Sequence, residues 1–127
     1  MFEEELFITI TGLSHYYGMT PIETGRWVAL VKEPENPHDQ DAILVAIPWI
    51  GTVGYVANST HTVARGCFSA GRIYDRLPEE CAAVVRFVTG SNVIAQVFPG
   101  KRLSAEQNIS LVDQEVVSVK AWCFSRP

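Results

Sequence analysis

A chain of 127 residues, 47% apolar and 19% charged, has the make-up of one globular domain with a single sizeable core, which excludes a disordered or fibrous polymer. Ten Lys and Arg against fourteen Asp and Glu leave a formal net charge of −4, which argues against tight, sequence-blind binding to long duplex DNA, where neutralised phosphates supply most of the affinity. A small pocket for a strand end depends on local field rather than total charge, and is not excluded.

No apolar run approaches the ~20 residues that a membrane helix needs. The acidic and then alternating start, MFEEELFITIT, fits neither a signal peptide nor a transit peptide, so the chain reads as cytoplasmic with no membrane partner. The three cysteines, Cys67, Cys81 and Cys123, are odd in number and widely spaced. With no Cys-x-x-Cys and no Cys/His cluster, neither a zinc site nor a disulfide framework is expected, and the thiols read as reduced and mostly buried.

The first strand is predicted over Leu6 to Thr11, with Leu6, Ile8 and Ile10 on one face. GLSHYYG, residues 12–18, follows as a glycine-bounded polar and aromatic loop, and Pro21 and Gly25 mark a turn. Trp27 to Lys32 reads as the second strand. EPENPHDQD, residues 33–41, is a long polar connector where a tight hairpin would need only two residues. The third strand, Ala42 to Ile47, is rich in Ile and Val and is expected to be buried on both sides. Pro48 to Gly51 turns into a fourth strand, Thr52 to Val56. Asn58 and Ser59 then offer an N-cap for a short helix over Thr60 to Phe68, with Val63, Ala64, Cys67 and Phe68 facing inward and Gly71 ending it. RIYDRLPEE, residues 72–80, is a connector broken by Pro78. Ala82 to Thr89 and Val93 to Phe98 flank the hairpin signal Gly90-Ser91-Asn92. The segment from Pro99 to Pro127 holds turn residues, a β-branched run at Val116 to Val119 and a late Trp122.

These elements add up to a mainly β chain with one or two short helices, arranged as a small barrel or curled sheet of about six or seven strands. Residues 1–98 form the barrel domain, and 99–127 form a C-terminal extension packed on it or serve as a partner-binding tail.

No Walker or dinucleotide loop, no Gly-x-Ser-x-Gly elbow and no His-Glu-x-x-His is present. His38, Asp39 and Asp41 could bind a divalent metal or move protons, as in a hydrolase. The commoner role of three polar residues in a proline-bounded turn is a hydrogen-bonded corner, with Asn36 forming an Asx-turn. A cysteine nucleophile would need a nearby base, and the sequence supplies none. In the 12–18 loop, His15, Tyr16 and Tyr17 are flat side chains that can stack on any base. The alternative is that one tyrosine plugs the end of the barrel.

Taken together, GLSHYYG, VALVKEPENPHDQDAILV and GTVGYVANSTHTVA resemble the HIRAN domain family. The matching features are Tyr16, Glu33-Pro34, Asn36-Pro37-His38-Asp39, Ala42-Ile43-x-Val45 and Gly51-x-x-Gly54-Tyr55, spread over roughly Leu6 to Val97. The resemblance implies an OB- or SH3-like barrel, of a kind found alone in bacteria and attached to helicase-like enzymes elsewhere. It also implies a module without catalysis or cofactor that captures the 3′ end of single-stranded DNA between two aromatic residues. By position the sandwich falls on His15 and His38, the acceptor of the 3′-hydroxyl on Asp39, a phosphate contact on Tyr16, and a loop-holding role on Asn36. A carboxylate accepts a free hydroxyl and repels a phosphate, so it selects an end over an internal position.

The departures lie in charge. Ser14 stands where DNA-binding members carry Arg, and Ala57 and Asn58 stand where they carry Lys after the tyrosine. Ser14, Lys32, Arg65 and Arg72 are the candidate phosphate contacts, with Arg76 a further cation nearby; solvated surface charge is the alternative for the four cations. The alternative function is a protein-interaction or homo-oligomeric module that keeps the barrel with weakened DNA binding, and a metal-dependent hydrolase is the third.

Overall fold

The computed structural model describes residues 5–90, 92–104 and 115–118. Among these residues are eight strands: β1 (Leu6–Thr11), β2 (Trp27–Lys32), β3 (Ile43–Ile47), β4 (Gly51–Val56), β5 (Glu80–Val88), β6 (Val93–Phe98), β7 (Lys101–Ser104) and β8 (Glu115–Ser118). A single-turn helix, α1 (Ala70–Ile73), and two 3-10 turns, Leu13–His15 and Tyr74–Arg76, complete them. Strands β1 to β6 close into a barrel in the order β1-β4-β3-β2-β5-β6, every neighbouring pair antiparallel.

Closure follows from alternation. Leu6, Ile8 and Ile10 of β1, Val28 and Leu30 of β2, and Val93, Ala95 and Val97 of β6 all enter one buried cluster. Each fully buried aliphatic side chain of this size contributes about 1.5–3 kcal/mol. The third strand departs from the expectation of burial on both sides: Ile43, Val45 and Ile47 are buried, whereas Leu44 and Ala46 are half-exposed. This is the period of a barrel wall with one wet face. A second, smaller cluster sits outside the barrel, where Leu103 of β7 packs on Ala29 and Ala82 beside Trp27. Small residues on β2 and β5 let β7 lie close there, and β8 runs parallel to β7. The β-branched run expected at Val116 to Val119 falls on β8 as far as Ser118; Trp122 and Cys123 lie outside the described residues.

The helix expected over Thr60 to Phe68 is absent, and the reason is hydrogen bonding to β1. Strand β4 pairs with β1 only at Ile10 and Thr11. The rest of that edge is taken by residues 57–68: Ala57 N–H donates to Thr9 O at 2.8 Å and Phe68 N–H to Phe7 O at 2.7 Å. The buried Thr9 hydroxyl accepts from Ala64 N–H at 3.0 Å. Donors spent on β1 cannot close helical turns, and Gly66 at φ +87° breaks the segment again. The helix starts ten residues later, at α1. Ser69 caps it by accepting from Arg72 N–H, Ala70 and Ile73 face the core, and Gly71 lies within it rather than ending it.

Cys81 is fully buried and Cys67 half-buried. Neither loop tyrosine plugs the barrel: Tyr16 is 43% and Tyr17 53% exposed.

Candidate nucleic-acid interface

Two loops at one end of the barrel carry the candidate residues. Residues 33–42 link β2 to β3, and the loop is cinched at its neck where Glu33 N–H donates to Ala42 O at 2.9 Å. Inside it, Asn36 Oδ1 accepts from His38 N–H at 2.8 Å and from Asp39 N–H at 3.2 Å. Asp39 Oδ1 in turn accepts from Asp41 N–H at 2.9 Å. These are two Asx-turns in series, each replacing a ladder bond that the loop has given up. Asn36 Nδ2 donates to Glu33 Oε1 at 3.1 Å, so its side chain holds both the neck and the tip of the loop.

The 12–18 loop is as compact. Gly12 enters at φ +77°, a 3-10 turn follows, and Gly18 N–H closes back on Leu13 O at 2.9 Å. Tyr17 hydroxyl donates to Ile50 O at 3.1 Å, tying this loop to the β3–β4 turn.

Tyr55 on β4 joins the two loops. Its hydroxyl donates to Glu33 Oε1 at 2.8 Å, and its ring lies 6.5 Å from that of Tyr16 at a 41° tilt. Burial, then the hydrogen bond and charge of Glu33, then Tyr16 push its ionisation well above the usual phenol range.

Between these parts lies a cleft of about 580 Å³, lined by Thr11, Tyr16, Asn36, His38, Asp39, Ala42, Tyr55, Val56, Asn58, Ser59 and Thr62. Four of the sequence-predicted site residues, Tyr16, Asn36, His38 and Asp39, therefore meet in one place. Asn58 donates from Nδ2 to Asp39 Oδ2 at 2.8 Å and accepts at Oδ1 from Gly71 N–H at 2.8 Å. A neighbouring hollow that shares Asn36 and Tyr55 with the cleft is bordered by Glu33 and Glu35, whose charge repels a phosphate.

The remaining candidates lie elsewhere. Ser14 and His15 are exposed on the 3-10 turn that precedes Tyr16, and neither lines the cleft. The rings that do are Tyr16, His38 and Tyr55. Lys32 Nζ sits 4.3 Å over the ring of Tyr74. Arg72 and Arg76 are both over Phe68, at 5.1 and 5.3 Å from its centroid. Arg65 is exposed in the turn that follows Ala64. Arg72 follows Gly71, whose N–H donates to the cleft residue Asn58. Among the described residues no group of three or more His, Cys, Asp or Glu side chains is gathered as a metal ion would require, and no helix among them is long and apolar enough to cross a membrane.

Sequence reasoning gave no site role to Tyr55 or Asn58. Tyr55 was visible as part of Gly51-x-x-Gly54-Tyr55, but a motif does not say what its hydroxyl meets. Asn58 carried a cap signal. It does accept a backbone N–H as a cap would, although from Gly71 rather than from a helix over 60–68.

The HIRAN domain family matches residues 4–75, a span that contains both loops, Tyr55, Asn58 and α1. Among solved structures, the crystal structure of the HIRAN domain of human HLTF is similar, with a TM-score of 0.51 and 23% sequence identity over 73% of this chain and 74% of that one. At that identity the likeness shows a shared fold. No curated protein matches the chain. The family match covers more than half of the sequence and every residue that lines the cleft, and the chain belongs to the HIRAN domain family.

Proposed function

We propose that the cleft captures the free 3′ end of single-stranded DNA and that the protein is a binding module without catalysis of its own. The observation that carries this reading is the Asp39 carboxylate, braced inside a cleft whose other walls include the rings of Tyr16, His38 and Tyr55. Each carboxylate oxygen has one donor from the protein, and a carboxylate has about four lone-pair sites. Room remains for the hydroxyl of a strand end. The rings offer stacking faces to an unpaired terminal base, each such contact typically being worth about 1–3 kcal/mol. His15 is a further ring outside this set, on the 3-10 turn that precedes Tyr16, and Ser14, Lys32, Arg65 and Arg72 are outlying phosphate contacts.

The test is a titration of a labelled short oligonucleotide with a free 3′-hydroxyl against the same oligonucleotide carrying a 3′-phosphate. The free end is expected to bind more tightly, and Asp39→Ala to erase the preference. Equal affinity for the two ends in the unaltered protein would sink the end-recognition reading.

One observation favours a second reading. No Lys or Arg lines the cleft, and the formal net charge is −4, so the surface suits a protein partner or a second copy of the chain as well as it suits a polyanion. Absence of binding of either oligonucleotide up to ~1 mM at low salt, equivalent to less than about 4 kcal/mol, would move the interaction module ahead.

A further inference from the structure

We infer that the hollow beside the cleft, between His61 and Asn92, takes a second, unpaired base of the bound strand and gives the protein a sequence preference upstream of the 3′ end; this rests on the reading of the cleft as a 3′-end site.

The hollow encloses about 320 Å³, and Thr9, Thr11, His61, Thr62, Val63 and Asn92 are among its walls. Thr11 and Thr62 also line the cleft, so the two spaces abut. A strand that leaves the cleft over these two residues carries its next bases to the hollow.

Both rims are fixed through their backbones, which leaves their side chains unspent. On one rim, Ala57 N–H donates to Thr9 O at 2.8 Å and Ala64 N–H to Thr9 Oγ1 at 3.0 Å. Between them, Ser59 accepts from the N–H groups of His61, Thr62 and Val63. On the other rim, Ile10 pairs with Val93 at the start of β6. Asn92 stands just before it, donating from N–H to Thr89 Oγ1 at 3.0 Å and accepting at O from Thr89 N–H at 2.8 Å. Among the described residues, the His61 imidazole, the Asn92 amide and the Thr11 hydroxyl have no hydrogen-bond partner. The rims are therefore held in place while their recognition groups stay available, which is the preorganisation that binding rewards.

The chemistry of the walls decides what fits. No Lys, Arg, Asp or Glu lines the hollow. A phosphate or a metal ion would lose hydration there against no fixed opposite charge. A base is a neutral plate with donors and acceptors along its edge. His61 supplies a flat ring for stacking, and Val63 an apolar wall. The Asn92 amide supplies a donor and an acceptor side by side, the complement of the amino group and N7 of adenine.

The experiment is an abasic scan of a short 3′-hydroxyl strand, one position at a time, followed by base exchange at the position that responds. Upstream of the terminal nucleotide, one abasic substitution is expected to weaken binding about 10-fold, within the range of a single stacked base. Adenine at that position is expected to exceed either pyrimidine by at least about 5-fold, at the lower end of discrimination by an amide pairing with a base edge. His61→Ala should abolish the abasic step, and Asn92→Ala should abolish the adenine preference while leaving most of that step. Neither side chain is bonded within the described fold, so both variants should keep the unaltered unfolding midpoint and the preference for a 3′-hydroxyl over a 3′-phosphate. A scan flat upstream of the terminal nucleotide, an abasic step that survives His61→Ala, or a base preference that is absent or survives Asn92→Ala overturns the inference. A flat scan with the hydroxyl end still preferred leaves the end-recognition reading standing. An upstream step with the two ends bound alike supports the hollow and removes end recognition instead, and failure of every strand to bind overturns both.

Discussion

Replacing Gly54 by alanine tests how the barrel carries its binding loops. A Cβ at this position would stand 2.6 Å from the backbone oxygen of Thr11, 3.1 Å from Ile10 Cγ2 and 3.3 Å from Leu13 Cδ2. Two of these atoms belong to side chains that can yield slightly. The third is a main-chain oxygen, fixed because Thr11 pairs with Tyr55 and Ile10 with Val56. Restoring ordinary contact means opening that gap from 2.6 Å to at least 3.4 Å, by moving the end of β1 away from β4. Overpacking of this kind costs about 1–3 kcal/mol. The smaller unfolded-state entropy of alanine returns about 0.4–1 kcal/mol. The net expectation is a loss of roughly 1–2 kcal/mol, and with a urea m-value of about 1–3 kcal/mol/M the unfolding midpoint should drop by roughly 1 M. The 12–18 loop follows Thr11 directly and sends Leu13 onto Gly54, so the Tyr16–Tyr55 ring contact at 6.5 Å should loosen too. Oligonucleotide affinity is then expected to fall with stability. Gly100→Ala is the matched control, since a Cβ there meets nothing within 4 Å. A Gly54→Ala protein whose midpoint matches that control refutes the reasoning.

The other expectations concern the polar corner and alkaline pH. Asn36→Ala removes an acceptor for two backbone N–H groups and a donor to Glu33; with the loop partly solvated, about 1–2 kcal/mol of stability should go, and amide exchange at His38 and Asp39 should accelerate, whereas unchanged protection at those two amides would count against the Asx-turn account. The Cys81 thiol is pushed from its ordinary value of 9.0 up to about 12, by burial first and the charge of Glu80 second, with Lys32 opposing. Because the folded state holds that proton more tightly than the unfolded one, its contribution is complete below pH 9 and is lost as pH rises toward 12. Tyr55 shifts in the same direction and adds to the fall. Denaturant titrations from pH 7 to 11 should show stability declining above pH 9, with a shallower decline in Cys81→Ala; a flat profile would contradict the assignment.

The barrel strands were largely legible because each carries its own alternation. Leu6–Thr11, Trp27–Lys32 and Val93–Phe98 emerge with the bounds that hydrophobic periodicity gives them. Residues 59–68 misled for a physical reason. Ser59 does what a cap does locally, accepting from His61 N–H at its hydroxyl and from Thr62 and Val63 N–H at its carbonyl. The signal for the first turn was real; what the sequence does not display is that β4 leaves the edge of β1 open, so that Ala57, Ala64 and Phe68 donate to β1 instead. Strand β7 was hidden differently. Leu103, the buried side chain among those described there, packs outside the barrel on two alanines, a pattern with no period to detect.

The site was legible where its bonds are local and illegible where they cross the fold. Both Asx-turns span two or three residues, and Asn36 and Asp39 announce them by residue type alone. The bonds that turn this corner into part of a cleft reach much further along the chain. Tyr55 meets Glu33 across twenty-two positions, and Asn58 meets Asp39 across nineteen. Neither distance leaves a mark on spacing or composition. The length of the 33–42 connector now has a physical account. A two-residue turn would join β2 to β3, but it would provide neither the carboxylate for Asn58 nor the acceptor for Tyr55. Within the loop the N–H groups of Asn36, His38, Asp39 and Asp41 find acceptors, so Pro34 and Pro37 can be exposed while Asp39 stays held by Asn36 and Asn58. A polar corner built this way costs little stability, and its rigidity is what a ligand-binding carboxylate requires.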